Sequence, residues 1–345
     1  MLNQEEISPY SKAKQILNFQ FSSIQAELAQ LEQIIINEFI PQAGPLTEII
    51  KYILMNGGKR IRPSLALVIG NLSSTSQNNK LSPKHYELAQ LTELIHTASL
   101  VHDDILDEAI SRRGKDSIHV KWDTKISVIT GDFLFAQASV KLGKLECNEI
   151  VCIYADVLAN LCIGELKQAQ YRFDIANLNW DNYLEKSFHK TASLFAATTK
   201  SAGLLNNQSP EIINDLYNFG KNLGLAFQII DDLLDFISTE KDLGKPILTD
   251  LKQGILTAPV LYALNDSNES IKLNLTNLIQ SRFPDGSNNL KEAEKIIKES
   301  GAFEKTFNLA KSYIQQANNN LKALPDNEYK KDLFLLGDFI LARLI

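Results

Sequence analysis

The sequence predicts an all-α protein: a large single-domain helical bundle, residues 1–345, around a central cavity. Three observations carry that prediction. Apolar residues recur at three- and four-residue spacing almost throughout, as in Ile16, Phe19, Ile24, Leu28, Leu31 and Ile35, and no alternating strand pattern is sustained. Helices this apolar need partners on more than one side, which a bundle supplies and a thin layered fold does not. Finally, two aspartate triplets, Asp103-Asp104-Asp107 and Asp231-Asp232-Asp235, sit inside apolar stretches, where carboxylates call for an interior site that compensates their charge.

Helix-breaking segments set the elements in order. The first amphipathic run ends at Pro41 to Pro45, and a second leads to Asn71 to Pro83, a polar stretch that reads as a surface loop. A long helix then carries Leu94 to Val101 and the first triplet, and stops at Arg113 to Ser117. Breaks at Ala176 to Asn179 and Asn206 to Pro210 bound the middle of the chain. The next helix carries Leu223 to Ile230 and the second triplet, and ends before Asp242 to Leu248. Asp266 to Glu269, Pro284 to Asn288 and Leu324 to Asn327 divide the rest, giving about ten helices, some of them kinked. The length allows one domain or two, and no linker argues for two.

Composition excludes several classes. A net charge of −6 and a pI near 5.5 offer no general attraction to nucleic acid, although a local basic cluster or metal ion can still draw an anionic substrate. Cys147, Cys152 and Cys162 lack CxxC spacing and neighbouring histidines, so they are expected to be buried thiols in a reducing compartment. The start Met1-Leu2-Asn3-Gln4-Glu5-Glu6 has neither the order of a secretory signal nor the Arg-rich character of a transit peptide. No run reaches the roughly 18–20 apolar residues of a spanning helix, so membrane contact is expected to be peripheral at most.

At about 100° per residue, positions i and i+4 of a helix share a face and i+1 stands about 100° away. Each triplet is therefore expected to present its oxygens to one narrow sector, and two facing sectors would cage hard divalent cations. All-oxygen ligation suits Mg²⁺, which keeps several waters and shares its other positions with phosphates. Solvated helix faces explain most acidic clusters, but Leu94 to Val101 and Leu223 to Ile230 are too apolar for an outer face. Basic clusters accompany the triplets: Gly57-Gly58-Lys59-Arg60-Ile61-Arg62-Pro63, and Arg112-Arg113-Gly114 five residues after Asp107. A glycine pair lets backbone approach an anion, and Lys and Arg supply charge and forked donors suited to phosphate.

Taken in order, these motifs resemble the trans-isoprenyl diphosphate synthases, also called polyprenyl synthetases, over most of the chain. The resemblance rests on Leu100-Val101-His102-Asp103-Asp104-Ile105-Leu106-Asp107 with Arg112-Arg113-Gly114, and on Gly220, Gly224, Ala226-Phe227-Gln228 and Asp231-Asp232-Leu233-Leu234-Asp235. Gly244-Lys245-Pro246, Asp250-Leu251, Gly131-Asp132, Gly164-Glu165 with Gln168, and Lys190-Thr191-Ala192 complete it. It implies an isoprenoid-synthase-type bundle, a homodimer, and two substrates, isopentenyl diphosphate and an allylic diphosphate.

Carried over position by position, the resemblance implies that Asp103 and Asp107 hold two Mg²⁺ ions and Asp231 a third, with Asp104, Asp232 and Asp235 as additional or outer ligands. Arg112, Lys190, Thr191, Gln228 and Lys245 match contacts to the allylic substrate, and Lys59, Arg62, His96 and Arg113 match the isopentenyl diphosphate site. On the residues alone, Lys190 and Thr191 read as ordinary helix positions, and His96 and His102 as satisfied core histidines. Asp132, Glu165 and Gln168 read as buried polar supports. The implied reaction breaks an allylic carbon to oxygen bond, so cations must stabilise the departing diphosphate while the organic end stays dry. Two unit charges at about 4 Å interact by about 1 kcal/mol in water and about 4 kcal/mol at an effective dielectric of 20, so a water-poor site strengthens each contact.

Product length is expected to depend on Ala98 and Ser99, five and four residues before Asp103, where small side chains leave a tunnel open. The runs His96 to Asp104, Gly131 to Gln137 and Lys190 to Leu194, and Gly254 with Thr257-Ala258-Pro259, look like solanesyl diphosphate synthases of cyanobacteria and plastids. The implied product has eight to ten isoprene units and serves a plastoquinone tail. The implied location is a cyanobacterium-like cytoplasm, or the plastid stroma if the chain is plastid-encoded. A geranylgeranyl diphosphate synthase and a non-catalytic regulatory subunit remain as alternatives. A terpene cyclase would not need Lys59, Arg62 and Arg113.

Overall fold

Ser82 and Ser209 start the two long helices that carry the aspartates. Each sits in extended backbone, accepts a backbone N–H of the first turn on its hydroxyl and precedes a proline, whose fixed φ suits the first helical position. The computed structural model describes residues 19–42, 44–54, 58–72, 81–112, 114–238 and 247–344. In chain order its helices are α1 (Gln25–Gln42), α2 (Thr47–Leu54), α3 (Ile61–Leu72), α4 (Pro83–Leu106), α5 (Ile118–Lys121), α6 (Thr124–Lys144), α7 (Asn148–Gln170) and α8 (Trp180–Ser187). There follow α9 (Ser193–Leu205), α10 (Pro210–Ile237), α11 (Thr249–Lys252), α12 (Ala258–Asp266), α13 (Glu269–Gln280), α14 (Asn289–Glu299), α15 (Ala302–Asn320) and α16 (Glu328–Ala342). A π-helical turn, Phe188–Ala192, joins α8 to α9.

The all-α expectation holds. Among the described residues the sheet is one two-residue antiparallel pair, Ser111–Arg112 with Lys115–Asp116, at the predicted break after the first triplet. The helices outnumber the expected set because some breaks carry no composition signal. At the α6–α7 junction, for example, Glu146 takes φ +51 without glycine or proline beside it.

The first aspartate helix, α4, packs along α6, and the second, α10, packs on α9 and α15, while α9 also touches α3, α4 and α7. The main core runs through Leu65, Leu67, Ile69, Leu88, Ile95, Phe195, Phe219 and Ile229, all at or near zero exposure. Each such side chain contributes about 1.5–3 kcal/mol of burial. A smaller core around Phe236, Leu251, Val260, Leu275 and Ile297 seats the C-terminal helices beside α10. Backbones approach closely where Gly224 of α10 meets the π-turn: a Cβ there would lie 2.6 Å from Ala192 Cα.

The first described segment is tied to α16. Buried Asp332 of α16 accepts from the Ser23 N–H and from the Ser22 and Ser23 hydroxyls at 2.7–3.1 Å, and Phe19 stacks on Phe339. That clasp holds the last turn of α16 against the cavity described next.

Two expectations are corrected. Cys152 and Cys162 are exposed and Cys147 is half-buried, because α7 keeps a free outer face instead of being enclosed on all sides. Asp132 is not a buried support: its side chain is 68% exposed, 3.8 Å from His102 Nε2. His102 itself is half-buried, contacts the Val128 carbonyl at 3.2 Å and lies where a Cβ on Gly131 would go. It therefore packs α4 on α6.

Candidate active site

A cavity of about 570 Å³ opens between the C-terminal ends of α4 and α10, walled by α3, α7, the π-turn and α16. Asp103 and Asp107 line it, as the i, i+4 argument requires. Asp104 does not. Its buried carboxylate turns to Arg112, which donates from Nε at 2.7 Å and Nη2 at 2.6 Å, so Asp104 positions the guanidinium that borders the cavity.

The second triplet also splits. Asp231 and Asp232 line the cavity, and Asp231 pairs with Arg343 Nη2 at 2.6 Å. Asp232 accepts from the Tyr183 hydroxyl at 2.6 Å and from the Gln228 amide at 2.7 Å, and Gln228 in turn accepts from the Thr191 hydroxyl at 2.5 Å. Asp235 is buried away from the cavity and accepts the backbone N–H groups of Thr249 and Asp250 at 3.3 and 3.0 Å. It thereby presents Asp250, which does line the cavity. Neither triplet points all its oxygens at one sector, because the i+1 and i+4 partners of the packed helix differ from face to face.

Basic groups form the opposite wall. Lys190 and Thr191 project from the π-turn, an insertion that sets the side chains after it apart from α-helical register. Lys190 pairs with Glu165 at 2.6 Å. Arg62 Nη1 lies 3.1 Å from His96 Nε2, and its guanidinium covers the Phe195 ring at 4.6 Å. Lys59 sits 4.0 Å over Phe339, and Arg60 is paired with Glu93. Ser99 faces the cavity, with its hydroxyl on the His96 carbonyl at 2.9 Å, whereas Ala98 is fully buried behind it.

The charges perturb one another. Burial pushes Asp103 up to about 7 against the pull of Lys190, with Glu165 and Asp107 adding to the rise. Burial likewise lifts Asp232 to about 6, opposed by Lys186 and by its hydrogen bonds from Tyr183 and Gln228. Burial lowers Lys190, but Asp103 and Glu165 outweigh it and hold that lysine above its ordinary value. Lys59 is lowered by burial and by Arg343. Carboxylates raised by burial beside crowded ammoniums in one cavity are the kind of perturbation that marks functional sites.

Residues 44–297 match the family model for polyprenyl synthetase. The chain belongs to the polyprenyl synthetase family. A prenyl transferase of Cyanophora paradoxa is 44% identical over 294 residues, 85% of this chain and 88% of the relative. Solanesyl diphosphate synthase 1, chloroplastic, of Arabidopsis thaliana is 41% identical over 278 residues, 80% of this chain and 67% of that protein. The crystal structure of a polyprenyl synthase from Caulobacter crescentus CB15, complexed with calcium and isoprenyl diphosphate, superposes with a TM-score of 0.85 at 30% identity, over 96% of this chain and 97% of that one. This synthetase is accordingly a transferase of the trans-prenyltransferase type.

Of the residues singled out in the synthetase from sequence, Asp103, Asp107, Asp231, Asp232, Lys59, Arg62, His96, Arg112, Lys190, Thr191, Gln228 and Ser99 converge on the one cavity. Asp104, Asp235 and Ala98 stand behind it. Arg113 and Lys245 lie outside the described residues, as do Gly57 and the middle of the Asn71 to Pro83 stretch. Sequence reasoning missed Lys186, Tyr183 and Arg343. The first two precede Lys190 by four and seven residues, a helical spacing that could have marked them. Arg343 has no neighbouring motif, and only the folded chain brings it to Asp231.

Proposed function

We propose that this synthetase is a Mg²⁺-dependent, chain-elongating enzyme that condenses isopentenyl diphosphate with an allylic diphosphate. Its product is an all-trans polyprenyl diphosphate of eight to ten isoprene units, of solanesyl length, for a prenylquinone side chain. One observation carries the reading: a single cavity joins Asp103, Asp107 and Asp231 to two groups of cationic side chains, Arg112 with Lys190 and Lys59 with Arg62. Two anionic substrates need two such groups, and a hydrolase or cyclase needs one. Relatives named solanesyl and decaprenyl diphosphate synthases support the product length.

The donor set fits Mg²⁺. Asp103, Asp107 and Asp231 offer carboxylate oxygens to one cavity, which suits an ion that takes one or two carboxylates and fills its shell with water and phosphate. Asp103 and Asp107 would hold two ions and Asp231 a third. Bound there, Mg²⁺ supplies positive charge that stabilises the diphosphate as it leaves. Arg112, Lys190, Thr191 and Gln228, with Lys245, orient the allylic diphosphate, while Lys59, Arg62 and His96, with Arg113, hold isopentenyl diphosphate so that its double bond faces the allylic carbon. The growing hydrocarbon passes Ser99. No protein base is assigned to the final proton, which the released diphosphate is expected to take.

Two expectations about the assembly belong to this reading. Val128, Ile129 and Val140 of α6 and Val151, Ile163 and Leu166 of α7 are exposed aliphatics, and they support a homodimer that covers part of these two helices. Chloroplastic and cyanobacterial relatives support a plastid stroma or a cyanobacterium-like cytoplasm. Among the described residues no helix is long and apolar enough to cross a membrane.

The test is incubation of the protein with radiolabelled isopentenyl diphosphate and farnesyl or geranylgeranyl diphosphate, with and without Mg²⁺, followed by sizing of the dephosphorylated product. A ladder ending between C40 and C50, absent without Mg²⁺, is expected. A C20 end point would replace the product assignment, and no incorporation would overturn the reading.

A further inference from the structure

Helix α8 directs Tyr183 and Lys186, three residues apart and so on one face, toward the second aspartate cluster. Tyr183 and Gln228 occupy the two oxygens of Asp232. Lys186 lines the cavity with Asp231, Asp232 and Asp250, and the carboxylates acting most strongly on its ammonium are Asp232 and Asp250. Among the described residues no hydrogen bond or ion pair holds that ammonium, which lies 5.6 Å from the centre of the Tyr183 ring. Burial lowers its pKa and the two aspartates resist the fall. Half-buried, it turns its donors to a cavity already equipped for diphosphate.

We propose that Lys186 is a further substrate-binding residue. It donates to the diphosphate of the allylic substrate and, until that arrives, serves as the resident counter-ion of Asp232 and Asp250. This rests on the diphosphate reading above and adds a coupling to it. A divalent cation approaching Asp250 meets the charge of Lys186, and one approaching Asp231 that of Arg343, so metal alone binds weakly. A diphosphate is attracted by the same ammonium and offsets its repulsion of the metal. Lys186 therefore makes metal and diphosphate bind together more than separately.

Titration calorimetry on the full-length wild-type, Lys186→Met and Lys186→Arg proteins tests this, with Mg²⁺ alone and with inorganic pyrophosphate at saturating Mg²⁺. Methionine keeps the length of the stem and removes the charge. Its pyrophosphate affinity is expected to fall roughly ten- to a hundredfold, the worth of a charge-assisted hydrogen bond, while Mg²⁺ alone binds several-fold more tightly. Arginine should restore most of the pyrophosphate affinity. In turnover, KM for the allylic diphosphate should rise in Lys186→Met and KM for isopentenyl diphosphate should not.

Unchanged pyrophosphate affinity would overturn the proposal. So would weaker binding of both probes together with a lower Tm, which would mean that Lys186 only holds the cluster in place. Wild-type protein that binds pyrophosphate yet incorporates no isopentenyl diphosphate would overturn the elongation reading alone, since the opposite changes in the two calorimetric affinities would still be there to measure.

Discussion

Replacing Asp103 by asparagine should stabilise the metal-free protein while abolishing its reaction. In the folded chain burial holds Asp103 at about 7 instead of the ordinary 3.8. A rise of that size corresponds to about 4 kcal/mol at a pH well above 7, and water at the open cavity mouth screens part of it, leaving roughly 2–4 kcal/mol. The sign follows from linkage. A carboxyl whose pKa is raised on folding contributes stability that is fully present below its unfolded value and is lost as the pH climbs through about 7. Asparagine mimics the protonated acid and escapes that loss. Thermal melts in chelator at pH 8 should therefore place Asp103→Asn roughly 3–6 °C above wild type. By pH 5, where folded wild-type Asp103 is mostly protonated, the gap should shrink to about a third. Incorporation of isopentenyl diphosphate should fall at least roughly a hundredfold. A variant that melts at or below wild type at pH 8, a gap that widens toward pH 5, or near-normal turnover would refute the reasoning.

Other substitutions separate packing from length control. Ser99→Phe places an aromatic ring directly in the cavity and should shorten the product with little change in Tm; an unchanged ladder would mean that the chain leaves by another route. Ala98→Phe acts at a position with zero exposure, so it should shorten the product only together with an overpacking cost of about 1–3 kcal/mol, read as a lower denaturation midpoint. Gly224→Ala puts a Cβ 2.6 Å from backbone of the π-turn and should destabilise by at least about 1–3 kcal/mol while raising KM for the allylic diphosphate, because Lys190 and Thr191 ride on that turn. A wild-type midpoint in Gly224→Ala would show that the two helices can separate at little cost.

What the sequence makes legible is what depends on local periodicity. The helical class and the break after the first triplet follow from spacing and breakers, and so does the shared face of Asp103 and Asp107. What it hides depends on a partner. Nothing near Asp104 in the chain says that Arg112 will claim it, and the register that places Lys190 comes from a π-turn against Gly164 and Gly224, not from Lys190 itself. The exposed cysteines were hidden for the same reason: a helix that packs on one face and a helix enclosed on all sides can carry equally apolar sequences.

The two triplets look like copies and act as different structures. In the first, two carboxylates of one helix turn reach the cavity and the third anchors an arginine. In the second, Asp235 holds backbone N–H groups of α11 and so delivers Asp250, a carboxylate from outside the triplet, to the place its own cannot reach. Asp231 meanwhile faces Arg343 from the last turn of α16, which the Asp332 clasp and the Phe19 to Phe339 stack hold in place. The first cluster is thus completed within its own stretch of chain, and the second only when three distant segments have folded together. Perturbing the N-terminal clasp, for instance with Asp332→Asn, should therefore disturb the Asp231 side of the cavity and leave Asp103 and Asp107 where they are.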